Sequence, residues 1–197
     1  MATRRGPRFK ECRWVGVNAI GNPKAMKRVS THGNLRRTKP TEYRVQMLEK
    51  QKLKIYYNIF EKQLVRYYEE ALRSSEQTGT ALLRLLESRL DNLVYRIGFA
   101  NSIRMARQLV SHGHIIVNGK RIDIPSYQVK PGDVIALHES SRKVEVFCNN
   151  FREFGGFSVP YIERNTEELS AKFTRLPERE EIPVEVNDRQ IIEFYSR

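Results

Sequence analysis

Cysteine and long apolar runs are both scarce in this chain of 197 residues. Two cysteines, Cys12 and Cys148, are too few for a disulfide framework and favour a reducing compartment. No apolar run approaches the roughly 18 residues that a membrane-spanning helix needs. The first residues carry charge but no following apolar region, so they do not resemble a secretion signal. We therefore expect a soluble intracellular protein without a membrane partner.

Motifs for catalysis and for metal binding are also missing. The sequence contains neither of the glycine patterns that hold nucleotide phosphates. His112 and His114 have no neighbouring cysteine or acid that would suggest a nucleophilic site, so they are expected to contact phosphate or to face water. Structural zinc takes four Cys or His ligands, and residues 1–60 supply only Cys12 and His32. We expect no enzymatic activity, no cofactor and no metal.

Positive charge dominates the chain and is concentrated near its beginning. The net charge is +12, and residues 1–60 carry 15 lysines and arginines against 3 acids. Residues 131–197 carry 9 basic residues against 13 acids. A cationic surface of this kind repels itself unless an anion neutralises it, so a nucleic-acid backbone is the expected partner.

Residues 1–41 form a basic arm that the sequence predicts to be irregular, because proline and glycine recur throughout it. Apolar residues alternate with the cations, which indicates that the arm packs on a surface. Trp14 is expected to anchor protein packing, with stacking on a base as the alternative.

The segment from Thr41 to Ser75 has the strongest helical pattern. One helix is predicted to begin at Thr41, a second near Glu61 and a third at Thr80, where leucine becomes frequent. Four tyrosines on these helices are expected in the core rather than on bases: Tyr56, Tyr57, Tyr67 and Tyr68. The apolar residues of 187–197 are expected to return to this part of the chain. A helical domain is thus predicted over residues 42–87, completed by 180–197.

Residues 102–119 are the most informative stretch. Their apolar residues lie on one side of a short helix that Gly113 would end, because a left-handed cap costs glycine nothing. Asn118 and Gly119 then favour a tight type I′ turn between two strands. Further strands are predicted over 134–137 and 143–147, within a unit covering 88–150, and residues 151–179 extend it. The fold class is α+β: a helical domain with an inserted module of helices plus a small antiparallel sheet.

Residues 87–100, 102–119 and 124–135 resemble the S-four RNA-binding module, which also occurs in tyrosyl-tRNA synthetases and pseudouridine synthases. Residues 49–53, 86–92, 175–179 and 192–197 extend the similarity over nearly the full length to the bacterial-type small-subunit ribosomal protein S-four family. Many members hold zinc with cysteines in the basic arm, so this chain resembles a zinc-free member. It also departs from the family at residues 29–33, where a proline-rich turn is common.

The resemblance implies a structural protein of the cytoplasmic small ribosomal subunit, with an organellar ribosome left open. It implies binding to small-subunit ribosomal RNA at a multi-helix junction early in assembly, next to the fifth protein of that subunit. It also implies a position near the channel through which mRNA enters, an influence on translational accuracy, and repression of its own messenger. An RNA-modifying enzyme and a free-standing RNA chaperone remain alternatives. Asp91 lies in an Arg-Leu-Asp triplet like that of pseudouridine synthases, but a structural role beside an arginine is expected.

The expected RNA-contacting residues form two groups. Those of the module are Arg104, Arg107, Gln108, Ser111, His112, Lys120 and Arg121. Those of the arm and first helix are Arg4, Arg5, Arg8, Lys10, Arg13, Lys27, Arg28, Arg36, Arg37, Lys39 and Arg44. The acidic residues 163–193 are expected to face a basic neighbouring protein, with a plain solvated surface as the alternative.

Overall fold

The computed structural model describes residues 6–27, 41–153 and 159–196. The chain divides into two compact units, a helical unit (Met1–Ala81 with Val184–Arg197) and a mixed unit (Leu82–Pro183). The helices of the described residues are α1 (Arg8–Val15), α2 (Glu42–Tyr56), α3 (Glu61–Leu72), α4 (Thr78–Glu87), α5 (Leu90–Ile97), α6 (Ile103–Ser111), α7 (Glu145–Arg152) and α8 (Asp188–Tyr195). The strands are β1 (Ile115–Val117), β2 (Lys120–Arg121), β3 (Val134–Leu137), β4 (Ile162–Asn165) and β5 (Ser170–Phe173). The α+β fold class is confirmed.

Helix α2 of the helical unit begins where the sequence predicts. The hydroxyl of Thr41 accepts a hydrogen bond from the amide of Arg44 at 3.4 Å, which satisfies one of the unpaired amides of the first turn. Tyr57 and Tyr68 are buried, as expected for core residues. Helix α4 begins at Thr78 rather than Thr80, two residues earlier than predicted.

Helix α8 packs on α2, and its last aromatic residue fastens it to Glu61, the first residue of α3. The hydroxyl of Tyr195 and the ammonium group of Lys50 each lie 2.8 Å from one carboxylate oxygen of Glu61. Lys54 donates to the other oxygen at 2.8 Å. Burial alone would raise the pKa of Glu61, but these hydrogen bonds outweigh it and lower the pKa to about 2.

Helix α1 replaces part of the irregular arm that the sequence predicts. Cys12 and Val15 are buried on one side of it, together with Ala25 and with Ile55 of α2. Trp14 is 52% exposed, so the prediction that it anchors protein packing is wrong. The anchors are smaller apolar residues on the opposite side of the helix.

The mixed unit is built on a five-stranded antiparallel sheet in the order β2-β1-β3-β5-β4. Helices α5 and α6 pack together and share one apolar core with β1, β3 and β5. Asn118 and Gly119 have φ values of 50° and 77°, and they connect β1 to β2. The predicted tight turn is therefore confirmed, and it places β2 at one edge of the sheet and β4 at the other.

The strand predicted over 143–147 is wrong, because that segment enters a helix. A short 3-10 helix covers Glu139–Lys143 and α7 follows it. Val144 and Val146 alternate as in a strand, yet they are 38% and 57% exposed. Cys148 and Phe151, three positions apart, are buried, and the ring of Phe151 stacks on that of Phe99 with centroids 4.7 Å apart. The helical spacing decides the structure because it buries the larger side chain.

Candidate RNA-binding surface

Helix α6 turns its apolar side to the core of the mixed unit. Ala106, Leu109 and Val110 are buried, and the hydroxyl of Ser102 caps the helix by accepting from the amide of Met105 at 3.4 Å. The opposite side holds half-buried Arg104 and exposed Gln108 and Ser111. The helix therefore exposes polar groups from a rigid position.

Gly113 allows the β1–β2 hairpin to lie against the end of α6. Its φ is 72°, a conformation that costs other residues free energy, and a Cβ atom built there would overlap the guanidinium of Arg121. With glycine in place, Arg121 donates from Nη2 to the carbonyl oxygen of His112 at 3.0 Å. The end of the helix and the edge strand thus form one continuous surface.

The tip of the same hairpin is fixed from its other side. The side chain of Asn118 accepts from the amide of Val134 at 2.9 Å and donates to the carboxylate of Asp133 at 2.7 Å. Asp133 also accepts from the amide of Lys130 at 2.8 Å. These bonds hold the turn to the segment before β3. The turn therefore loses little conformational entropy when a ligand binds.

We call the resulting surface the α6–hairpin face. It comprises Arg104, Gln108, Ser111, His112, Lys120 and Arg121. All are exposed except Arg104, which is half-buried. Burial, followed by the electrostatic effects of His112, Arg121 and His138, lowers the pKa of the neighbouring His114.

Arg107 does not belong to this face, and the prediction that it points outward is wrong. It is only 6% exposed, and its guanidinium donates to Asp91 at 2.7 and 3.0 Å. Arg89 binds both oxygens of the same carboxylate at 2.8 and 3.0 Å. Asp91 is fully buried, and a buried carboxylate needs such partners, which draws Arg107 inward. The expected structural role of Asp91 beside an arginine is confirmed.

Glu87 forms a second buried cluster in the mixed unit. Its carboxylate accepts from Arg96 at 2.8 Å, from Asn92 at 2.7 Å and from the hydroxyl of Tyr161 at 3.0 Å. Burial and then the charge of Glu87 raise the pKa of Tyr161. The cluster ties α4 and α5 to the residue before β4 in the interior of the mixed unit.

The helical unit carries its own exposed cations. Lys10, Lys27 and Arg44 are exposed and Arg13 is half-buried. Lys10 and exposed Trp14 are four positions apart on α1, so they share the side that faces away from the buried Cys12. The side chain of Arg8 is outside the described residues, and so are the remaining predicted contacts: Arg4, Arg5, Arg28, Arg36, Arg37 and Lys39.

Sequence reasoning missed one histidine near the α6–hairpin face, His138, and left His114 either contacting phosphate or facing water. The amide of His138 donates to the carbonyl oxygen of His114 at 2.9 Å, and the rings of His114 and His112 have centroids 6.1 Å apart. The signal in the sequence was that three of the four histidines lie within one module.

Among the described residues, no group of His, Cys, Asp or Glu could hold a metal ion. None of the described helices has both the length and the apolar character for crossing a membrane.

Comparison with known proteins identifies the family of the chain. Residues 88–135 match the S4 domain, and residues 3–87 match the ribosomal protein S4/S9 N-terminal domain. The chain is 51% identical over 199 residues to the small ribosomal subunit protein uS4 of Finegoldia magna, with both chains fully covered. It is 47% identical to uS4B of Clostridium acetobutylicum, again over the full length of both chains. It is also 47% identical to uS4 of Thermus thermophilus, over 98% of each chain. The resemblance seen in the sequence is thus confirmed, and the chain belongs to the ribosomal protein S4 family, whose members are structural, non-enzymatic proteins of the small ribosomal subunit.

Proposed function

We propose that this chain binds small-subunit ribosomal RNA through the α6–hairpin face of the mixed unit and through the exposed cations of the helical unit. The observation that carries the proposal is the bond between Arg121 and the carbonyl oxygen of His112, which joins helix and hairpin into one basic surface. Family membership places the protein in the cytoplasmic small ribosomal subunit and rules out the alternative of an RNA-modifying enzyme.

The chemistry of the face suits a folded RNA. Double-stranded RNA is recognised mainly by its shape, its phosphates and its 2′-hydroxyl groups, because side chains cannot enter its narrow major groove. Arg104, Lys120 and Arg121 supply charge for phosphates, and Gln108 and Ser111 supply hydrogen bonds for hydroxyls or phosphates. A pre-shaped surface of this kind needs no group that reads a base.

Salt dependence tests the proposal directly. Each phosphate contact that is lost should reduce the slope of log K against log salt by about 0.7–0.9. We expect Lys120→Gln and Arg104→Ala each to weaken binding of the full chain to small-subunit rRNA and to flatten that slope, as measured by filter binding.

Lys172→Gln is the matched control for this test. Lys172 is an exposed lysine on β5 of the same sheet, in register with Glu163 of β4 and away from β2. Its loss should leave affinity and slope unchanged. Equal effects of Lys172→Gln and Lys120→Gln would show that general charge, and not this face, drives binding.

We also propose that Trp14 stacks on a base or sugar of the RNA, since it is exposed beside Lys10 on α1. Trp14→Leu keeps an apolar side chain but removes most of the stacking surface. It should weaken rRNA binding severalfold without changing the salt slope, whereas Lys10→Gln should change both. Unaltered affinity in Trp14→Leu would contradict stacking.

The early place in assembly rests on the family resemblance and on the strongly basic first 60 residues. We expect the isolated protein to bind naked small-subunit rRNA before any other subunit protein is added. A requirement for another protein, found by order-of-addition sedimentation, would contradict this role.

The remaining proposals concern neighbours and regulation. The acidic segment 163–193 is proposed to face a basic protein, with the fifth small-subunit protein as the candidate. Crosslinks from this segment in purified subunits should reach a protein, and crosslinks that reach RNA alone would contradict the contact.

The resemblance also supports three further proposals: a position near the mRNA channel, an influence on translational accuracy, and repression of the protein's own messenger. Misreading assays and reporter assays on variants of this chain test them.

A further inference from the structure

We propose that His112, His114 and His138 form, together with Arg121, a corner that binds an RNA phosphate and takes up a proton as it does so. This inference rests on the proposed binding of RNA by the α6–hairpin face. It adds His114 and His138 to that surface, and it gives His112 a role different from that of the permanent cations.

The backbone brings the three histidines together. His112 follows the last turn of α6, His114 precedes β1, and His138 follows β3. Because β1 pairs with β3, the amide of His138 bonds to the carbonyl oxygen of His114 at 2.9 Å. Arg121 reaches the same place from β2 through its bond to the carbonyl oxygen of His112.

Serine hydroxyl groups orient two of the rings. Nδ1 of His114 lies 2.8 Å from Oγ of Ser141, and Nδ1 of His138 lies 2.8 Å from Oγ of Ser140. Nδ1 of His138 also accepts from the amide of Ser140 at 3.3 Å, which leaves Nε2 as the ring atom that can donate to a phosphate. In the proposed corner, His112 and His114 take up the proton, while His138 donates from Nε2.

The charges around His114 oppose its protonation in the free protein. Burial first, and then His112, Arg121 and His138, lower its pKa below the usual 6.5. The other charged residues on the surrounding elements are Lys120 on β2, Glu139, Arg142 and Lys143 in the 3-10 helix, and Glu145 and Arg152 on α7, all of them exposed, together with half-buried Arg104 and buried Arg107 on α6. A phosphate dianion or diester among these groups reverses the balance, because it favours the charged form of each ring.

The sign of the coupling follows from these shifts. In the free protein the pKa of His114 is depressed, so its contribution to stability is present above pH 6.5 and decreases as the pH falls below that value. In the complex the phosphate opposes this depression and raises the pKa of His114. The part of the RNA affinity that depends on the proton therefore increases as the pH falls and is lost as the pH rises through the pKa of the bound state.

The test measures binding of the full chain to small-subunit rRNA at pH 6.0, 7.0 and 8.0 and constant ionic strength. If phosphate raises the pKa of one ring by about one unit, the wild-type protein should gain up to about tenfold in affinity from pH 8.0 to 6.0 relative to the His112→Gln/His114→Gln variant. The variant, whose glutamines cannot titrate, provides the baseline for protonation of the RNA itself. His32→Gln, in the basic arm, is the matched control and should keep the wild-type pH dependence.

A count of the protons taken up on binding separates the proposal from any effect of the substitutions on folding. Calorimetry in two buffers of different ionisation enthalpy should show that the complex takes up protons on binding at pH 7.0. The single variant His112→Gln, at an exposed position, should reduce the number of protons taken up. Strong RNA binding with the same pH dependence in wild type and double variant would overturn the proton-coupled corner and leave the proposed function standing. Absence of RNA binding at every pH would overturn the proposed function itself.

Discussion

The two edges of the sheet in the mixed unit carry opposite charge. At the β2 edge, Lys120 and Arg121 are exposed and no acid lies on β1 or β2. At the β4 edge, Glu163, Glu167 and Glu168 are exposed. A sheet of five short strands is thus polarised from one side to the other, which suits a protein that meets a polyanion at one edge and a cationic neighbour at the other.

Arg164 lies on β4, but its side chain points away from the acidic edge. The guanidinium of Arg164, on β4, donates to the carbonyl oxygen of Phe151 and lies 4.3 Å from the centroid of that ring. Its charge is therefore directed towards α7 rather than along the edge. On the opposite edge, Arg121 lies over Gly113 and keeps its charge at the surface. The same residue type has opposite consequences because its nearest neighbours differ.

The largest expected effect comes from breaking the buried support beneath the basic edge. Asp91→Asn removes the charge that two buried arginines share, and we expect a loss of about 3–5 kcal/mol in the free energy of unfolding. Urea unfolding followed by circular dichroism measures it. Glu163→Gln, at the exposed acidic edge, is the control and should change stability by less than about 0.5 kcal/mol. Similar losses of unfolding free energy in Asp91→Asn and Glu163→Gln would contradict the conclusion that a buried ion cluster supports the basic edge alone.

The next effect concerns RNA affinity at the two edges. Reversing both cations, Lys120→Glu with Arg121→Glu, should weaken rRNA binding about 100-fold near 0.1 M salt, or about 2.7 kcal/mol. The pair Glu167→Gln and Glu168→Gln should alter affinity less than about twofold. Filter binding at several salt concentrations measures both. A stronger effect at the acidic edge would reverse the comparison.

Glycine substitutions separate backbone strain from the placement of Arg121. Gly113→Ala introduces a Cβ into Arg121 at φ 72°, so we expect a loss of about 1–2 kcal/mol in stability and a severalfold loss of RNA affinity. Gly132→Ala has a similar strain, at φ 96°, with no atom within 4 Å of the new Cβ. It should lose stability alone. Equal RNA affinity in the two variants would show that the position of Arg121 does not matter.

The smallest effect lies in the helical unit, where a carboxylate is paired but partly exposed. The folded pKa of Glu61 is about 2, below the usual 4.5, so its contribution is present above pH 4.5 and disappears as the pH falls towards 2. Because the side chain is 41% exposed, Glu61→Gln should cost only about 1 kcal/mol at pH 7. The difference between wild type and variant should vanish near pH 2 in thermal unfolding. A constant difference down to that pH would contradict the linkage.

Local signals in the sequence were sufficient for much of the fold. Thr41, Gly113 and the Asn118-Gly119 turn each act within a few residues, since a cap or a positive φ depends on the immediate backbone. The cap at Asn187 or Asp188 and the apolar residues that follow it also favour a terminal helix. Its return to the helical domain is an expectation that follows from the need to bury these apolar side chains, of which Ile191 is buried.

Long-range pairing explains the failures. Arg107 looked like a surface residue because a helical pattern counts every arginine as polar, whereas its partner Asp91 is 16 positions earlier. Acids within an apolar helix, such as Asp91 beside Leu90 and Leu93, were the signal that cations must be buried with them. Trp14 is expected to anchor packing because apolar residues are interleaved with the cations of the arm, and that pattern does not show which side of α1 faces the core.

The split course of the helical unit has a consequence for how the protein is made. Helix α8 packs on α2, and the whole of Leu82–Pro183 is translated between them. Since domains tend to fold as units during synthesis, the inserted unit leaves the ribosome ahead of the partner of α2. The side of α2 that α8 covers is therefore the last part of the helical unit to be buried.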